Sequence, residues 1–255
     1  MRRRIGIDPL GLAGVATVVI VWQVLALLDL LPTSFPSAVA VIAALFGLIT
    51  SGSFWSDTAA TLISTMLGAL ISIVIGVPFG FMLGKFVVLR ECLSPIMEFL
   101  RPINPVILVP LALLIFTGLQ MKLFLIVYGG VWPILIATIY AVRSIDPVAV
   151  ETARSFSLGR VNTVWRITMP MAAPGISTGV RISITIALLV SIVAELIAGA
   201  SGIGQELLAA QISGAYATLY ALVVSVGIIG LLLNSGLVRA EKIILFWTPA
   251  NRVNA

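Results

Sequence analysis

Long apolar runs separated by short polar stretches organise this chain. A membrane-crossing helix needs roughly 20 mostly apolar residues. Six runs meet or approach that length, over about 10–31, 58–84, 102–119, 121–141, 179–199 and 218–238. They predict an all-α membrane protein with six transmembrane helices. The third run is crowded by Pro102, Pro105 and Pro110, which a membrane helix tolerates where neighbouring helices re-satisfy its backbone. Residues 36–50, PSAVAVIAALFGLIT, are apolar but short for a crossing, and read as an interfacial or re-entrant helix. No internal repeat or low-complexity linker divides the sequence, so residues 1–255 read as a single transmembrane domain.

Charge orients these spans. Excess Lys and Arg mark cytoplasmic segments. With Arg2, Arg3 and Arg4 placed inside, Lys85, Arg90 and Arg101 follow inside, as do Arg143, Arg154, Arg160, Arg166 and Arg181, then Arg239, Lys242 and Arg252. Of the 15 basic residues only Lys122 falls at an outer edge. Both termini are therefore expected in the cytoplasm. Reading 36–50 as a span would invert everything after it. The opening MRRR and its apolar run resemble a signal peptide, but the run is long for one and reads as a retained span.

Composition excludes several classes. The chain is 60% hydrophobic and 10% charged, against about 25% charged in a soluble domain. The net charge of +5 does not signal nucleic acid, because the basic residues sit at the ends of apolar runs. The absence of histidine removes histidine metal ligands and histidine acid–base chemistry. Cys92 is the single cysteine, so no internal disulfide forms. Gly199-Ala200-Ser201-Gly202 resembles the nucleophile motif of rhomboid proteases, but a serine nucleophile there needs a histidine base. Gly84-Lys85 lacks the rest of a phosphate-binding loop, since Phe79 and Phe86 stand at its required glycine and Ser/Thr positions. ATP hydrolysis must come from another chain.

Two features inside the spans bear on function. Ser64, Gly68, Ser72, Gly76, Gly80 and Gly84 recur every fourth residue and line one helix face, which permits close helix approach in lipid. Packing within the chain is one use, and a subunit contact or a moving, pore-lining helix is the other. Glu195 is the ionisable residue well within a span, with Asp29 and Lys122 near span ends. An intramembrane charge is a functional candidate. Glu195 either belongs to the conduction path or its gate, or caps and ties neighbouring helices.

The largest polar interruption is 142–178, and its centre reads ETARSFSLGRVNTVWRITMP over 151–170. Asp146-Pro147 is a helix start with proline at the first helical position. The helix continues to Phe156, with Glu151 and Arg154 three apart on one face. Gly159 suits a left-handed C-cap. A second short helix over about 161–168 is expected to stop at Pro170 and Pro174. Such a helix pair makes a knob that either covers the span ends or docks a soluble partner.

The same residues resemble the EAA loop of ABC-importer permeases. Glu151, Ala153, Gly159 and Pro170 stand at its Glu-x-Ala, glycine and final proline positions, with Thr152 and Met169 as mild departures. LSPIMEFLRPINPVILVPLALLIFTG, VRSIDP and AELIAGASGIGQELLAA extend the resemblance over roughly 36–245. They look like the subfamily importing nitrate, taurine, alkanesulfonates, bicarbonate and related anions, some of whose members carry thiamine precursors or aromatic acids. The resemblance implies a MetI-like fold, a homodimer and two cytoplasmic ABC ATPase subunits that bind ATP and Mg. It also implies an extracytoplasmic solute-binding protein, a small-molecule substrate, and residence among lipid in a bacterial cytoplasmic (inner) membrane. Glu151, Ala153, Arg154, Gly159 and Pro170 would then couple the permease to its ATPase. Arg101, Asn104 and Arg181 either contact an anion or serve topology and headgroup binding. A secondary carrier would show repeated halves with paired broken helices, and neither is evident.

Overall fold

The computed structural model describes residues 9–28, 32 and 34–247. Asp29, Arg2, Arg3, Arg4 and Arg252 lie outside the described residues, as does the side chain of Arg154. The described chain is helical throughout: α1 (Pro9–Leu27), α2 (Ala38–Thr50), α3 (Gly52–Lys85) and α4 (Val87–Leu100) come first. After a 3-10 turn at Pro105–Leu108 come α5 (Val109–Ile115) and α6 (Gly118–Arg143). Then follow α7 (Pro147–Ser155), α8 (Arg160–Thr163), a π turn at Val164–Thr168, α9 (Met169–Ala198), α10 (Ile203–Ile212) and α11 (Tyr216–Ile244).

Helices α3, α6 and α9 form the centre, and their mutual packing exceeds that of any other set. Small residues allow it. A Cβ on Gly76 would stand 2.9 Å from Ile134 Cγ2, and one on Gly80 2.8 Å from the Leu135 carbonyl oxygen. A Cβ on Gly84 would stand 2.9 Å from Val142, and one on Gly68 would overlap Ile126. The four glycines therefore face α6 of the same chain. Ala69, Leu125, Ile126, Ile184 and Ala187 fill the core between these helices. Helix α2 is short, is capped by Ser37, and packs on α11.

Four described helices are long and apolar enough to cross a membrane: α3, α6, the continuous run Arg160–Ala198, and α11. The expected third span, 102–119, is not one helix. Helix α4 ends at Leu100, and the chain resumes through the proline-led 3-10 turn into α5 after a bend of 76°. Each proline removes a backbone donor and disfavours helix in the residue before it, so Pro102, Pro105 and Pro110 divide the run. The bent pair counts as a fifth span if its halves are joined. The apolar part of α1, Ala13–Leu27, falls short of span length among the described residues.

Lys85 and Arg143 close α3 and α6 at one end of the bundle. Lys122 and the last turn of α9, with Glu195, meet at the opposite end. The helix expected over 161–168 does not stop at Pro170 and Pro174 but runs on into α9. The π turn makes this possible: the Met169 N–H reaches back to the Val164 carbonyl, a wider spacing that absorbs the helix break ahead of Pro170.

Candidate functional site

At the cationic end α7 and α8 form the expected knob. The Asp146 carboxylate accepts from the Val148 N–H at 2.9 Å, with Pro147 beginning the helix. The turn is made differently from the sequence expectation. Ser157, not Gly159, takes the left-handed conformation, at φ 57°. The Leu158 N–H then bonds the Ala153 carbonyl at 3.1 Å, the six-to-one bond of a Schellman cap. Gly159 lies beyond that cap in extended backbone (φ −60°, ψ 157°) and begins α8. Ala153 is buried beneath the knob, while Glu151 is exposed and pairs with no cation among the described residues. Val148, Phe156, Val161 and Trp165 are all more than half exposed. Pro170 lies in the first turn of α9, and its carbonyl accepts from the Trp247 indole at 3.4 Å.

The broken α4–α5 pair places Arg101 and Asn104 away from both ends. The Tyr128 hydroxyl, near the middle of α6, donates to the Leu100 carbonyl at 2.7 Å. Pro105 packs over Gly129, where a Cβ would come within 2.9 Å of the proline ring. Two adjoining hollows of about 710 and 630 Å³ share Arg101, Pro102, Trp132 and Ile136. Arg101, grouped above with the charges at the cationic end, thus stands about halfway along the bundle. Its guanidinium makes no ion pair or hydrogen bond among the described residues. Asn104 caps the 3-10 turn, accepting from the Val106 N–H at 3.0 Å. The Trp132 indole N–H is buried and has no acceptor among the described residues. Arg181 does not join them: it lies inside α9 and pairs with Glu241 at 3.8 Å.

Glu195 is fully buried at the opposite end and borders neither hollow. Its carboxylate takes Lys122 Nζ at 2.6 Å, Thr61 Oγ1 at 2.9 Å, Ser191 Oγ at 3.1 Å and the Gly204 N–H at 3.0 Å. Lys122 also donates to the Ser201 carbonyl at 3.1 Å. The knot joins α3, α6, α9 and the start of α10. Gly202 is required there, since a Cβ would overlap the Glu195 carboxylate and its φ is 145°. Sequence reading left Lys122 at a span edge and missed the pair. The signal was Lys122's isolation as the one basic residue off the charge pattern. Nearby, Glu206 on α10 bonds Asp57 near the start of α3. Burial, then that hydrogen bond and the neighbouring charge, push its carboxyl above the usual range. Among the described residues no group of three His, Cys, Asp or Glu is arranged to hold a metal ion.

Known proteins are similar to this chain in sequence and in fold. The chain resembles the nitrate import permease protein of Leptolyngbya laminosa, with 32% identity over 72% of this chain and 66% of that protein. The bicarbonate transport system permease protein of Synechococcus elongatus is 33% identical over 78% of this chain and 72% of its own length. The taurine transport system permease protein of Escherichia coli is 28% identical over 93% and 89%. In three dimensions the chain follows a chain of the MetNI methionine ABC transporter in inward-facing conformations. That TM-score is 0.65 at 22% identity, covering 74% of this chain and 94% of that one. Residues 76–244, from mid-α3 to the end of α11, match the family model of the binding-protein-dependent transport system inner membrane component, and the chain belongs to that family.

Proposed function

We propose that this chain is the single-domain permease subunit of an ATP-driven ABC importer for a small anion such as nitrate, a sulfonate, taurine or bicarbonate. It sits in a bacterial cytoplasmic membrane with both termini inside, and crosses six times through α1, α3, the α4–α5 pair, α6, α9 and α11. It pairs with a second copy, with two cytoplasmic ATPase subunits that bind ATP and Mg, and with an extracytoplasmic solute-binding protein. No step of ATP hydrolysis falls to the permease. Arg101 and Asn104 belong to the path, and the Glu195 knot holds its outer gate.

One observation carries the coupling role: the knob presents Phe156, Val161 and Trp165 to solvent beside an exposed Glu151. Large apolar side chains grouped on an exposed knob fit a partner's groove better than water. Closure of the ATPase pair would move this knob and, through the unbroken run 160–198, swing α9. The test is solute uptake and ATP hydrolysis in proteoliposomes holding the permease, its ATPase and the binding protein. Gly159→Asp and Glu151→Arg should abolish stimulation of hydrolysis by the loaded binding protein while the permease still folds. Normal coupling in both variants removes the role from the knob. The buried Lys122–Glu195 pair favours a second reading, an ion-coupled carrier. Uptake driven by an ion gradient without the ATPase would establish that instead.

A further inference from the structure

Resting on the importer reading, we propose that Arg101 and the indole N–H of Trp132 together form an oxyanion-binding point halfway through the permease, where its two hollows meet. The permease itself, and not the binding protein alone, would then select for negative charge.

The argument starts with the break between α4 and α5. Backbone without helical hydrogen bonds is tolerated at membrane depth only against protein or a water-filled cavity. Residues 102–104 lie outside regular helix, with the Ile103 N–H turned back to the Leu100 carbonyl at 3.2 Å, beside the middle of α6. An arginine at that depth is expensive against acyl chains, yet Arg101 is exposed in the single chain and makes no ion pair among the described residues, with Glu91 and Glu98 further along the same hollow. It must therefore face a wet cavity, and its five N–H donors seek an acceptor there. Trp132 borders the same two hollows and carries a buried donor with no partner among the described residues. Indole donates and cannot accept, so both unsatisfied groups ask for the same complement. A small oxyanion supplies it: a guanidinium takes two oxygens in parallel, leaving a third for the indole. Ile182, Ile186 and Leu189 of α9 border one hollow and make no polar demand on the rest of the ligand. Arg90 and Arg143 border the other hollow toward the cationic end, opposed by Glu91 and Glu98. Three arginines against two glutamates leave this lining net positive, so an anion leaving Arg101 finds arginines further along.

Binding and transport are measured on the complex of permease, ATPase and binding protein. The probes are sodium nitrate, taurine and sodium bicarbonate, each against sodium chloride at equal ionic strength. For whichever solute the wild type imports, Arg101→Gln should raise half-saturation or cut uptake by about 10-fold or more, the loss expected for a charge-assisted bond. Trp132→Phe should weaken half-saturation by roughly 3- to 10-fold, as for a neutral one. Arg101→Lys should recover part of the loss. The solute should also raise the unfolding temperature of the detergent-purified wild-type complex, and not that of Arg101→Gln. Wild-type import with unchanged half-saturation in Arg101→Gln and Trp132→Phe overturns the inference and leaves the importer reading standing. ATP-independent uptake, or none of any probe, overturns both. Repeating the comparison in phosphatidylcholine vesicles with and without phosphatidylglycerol separates the sources of the oxyanion. An effect of Arg101→Gln confined to vesicles with the anionic lipid makes the occupant a headgroup and overturns the transported-anion site.

Discussion

Glu195 takes donors from four helices, and its partner Lys122 is just as buried, at 3% exposure. Losing one member of such a pair strands the other's charge, typically at about 3–5 kcal/mol, whereas replacing both with packed side chains is often near neutral. Glu195→Gln and Lys122→Met are each expected to lower unfolding stability by that order. The double variant should lie closer to wild type than either single. Chemical denaturation in detergent measures all four proteins. Additive losses would mean the two groups do not act as a pair. The sequence marked Glu195 by its depth in an apolar run. Lys122 stood out from the charge pattern, but their pairing was not legible, because a contact between residues 122 and 195 depends on how α6 and α9 align. Gly159 shows the converse. Its spacing after Glu151 was legible, but Ser157 takes the strained turn instead. Nothing stands within 4 Å of a Cβ on Gly159, and its φ is ordinary. Within this chain Gly159→Ala should therefore leave the melting temperature unchanged, and any defect should appear only in ATPase coupling.

Between elements, the small-residue stripe on α3 is a question of backbone distance. At Gly80 the obstacle to a Cβ includes the Leu135 carbonyl oxygen at 2.8 Å, which cannot rotate aside. Overpacking of this kind costs about 1–3 kcal/mol, so Gly80→Ala is expected to lower the unfolding midpoint by a matching amount. Gly47→Ala on α2 is the control, since it meets nothing within 4 Å and helical alanine is favoured over glycine by roughly 0.5–1 kcal/mol. Equal midpoints for the two variants would mean α3 and α6 can part without loss. The contact between α3 and α10 titrates. Glu206 holds its proton more tightly in the folded chain than an ordinary carboxyl does. That tie is fully present below the unfolded value and is lost as pH rises through the raised one. Glu206→Gln should flatten this part of the stability–pH curve, read from melting midpoints across the carboxylate range. A period of four revealed the stripe in sequence, and three prolines marked the trouble at 102–119. The bend itself was not legible, because proline weakens a helix without saying whether it breaks there: Pro78, Pro133 and Pro174 lie inside continuous helices.

Across the whole molecule, the number of crossings and their direction belong to the arrangement in a bilayer. Lys85, Arg143 and the knob share one end, and the Glu195 knot marks the other. Basic residues gather on the cytoplasmic side, and the proposed function places the knob end there. Helix α1 decides between five crossings and six, because its described apolar stretch, Ala13–Leu27, is short for the roughly 20 residues a span needs. A helix of that length still crosses if the bilayer thins locally or flanking residues reach for the interface, at fractions of a kcal/mol per Å. Three reporters test this together. With Cys92→Ser as background, Ser155→Cys on α7 and Ser213→Cys after α10 are both at exposed positions, and a small epitope precedes residue 1. A membrane-impermeant maleimide should label Ser155→Cys only from the cytoplasmic side and Ser213→Cys only from outside. With six crossings the epitope shares the side of Ser155→Cys. An epitope on the side of Ser213→Cys would remove α1 from the spans and leave the bent α4–α5 pair as the fifth and last. Labelling of Ser155→Cys from outside would reverse the whole bundle and take the knob away from any ATPase.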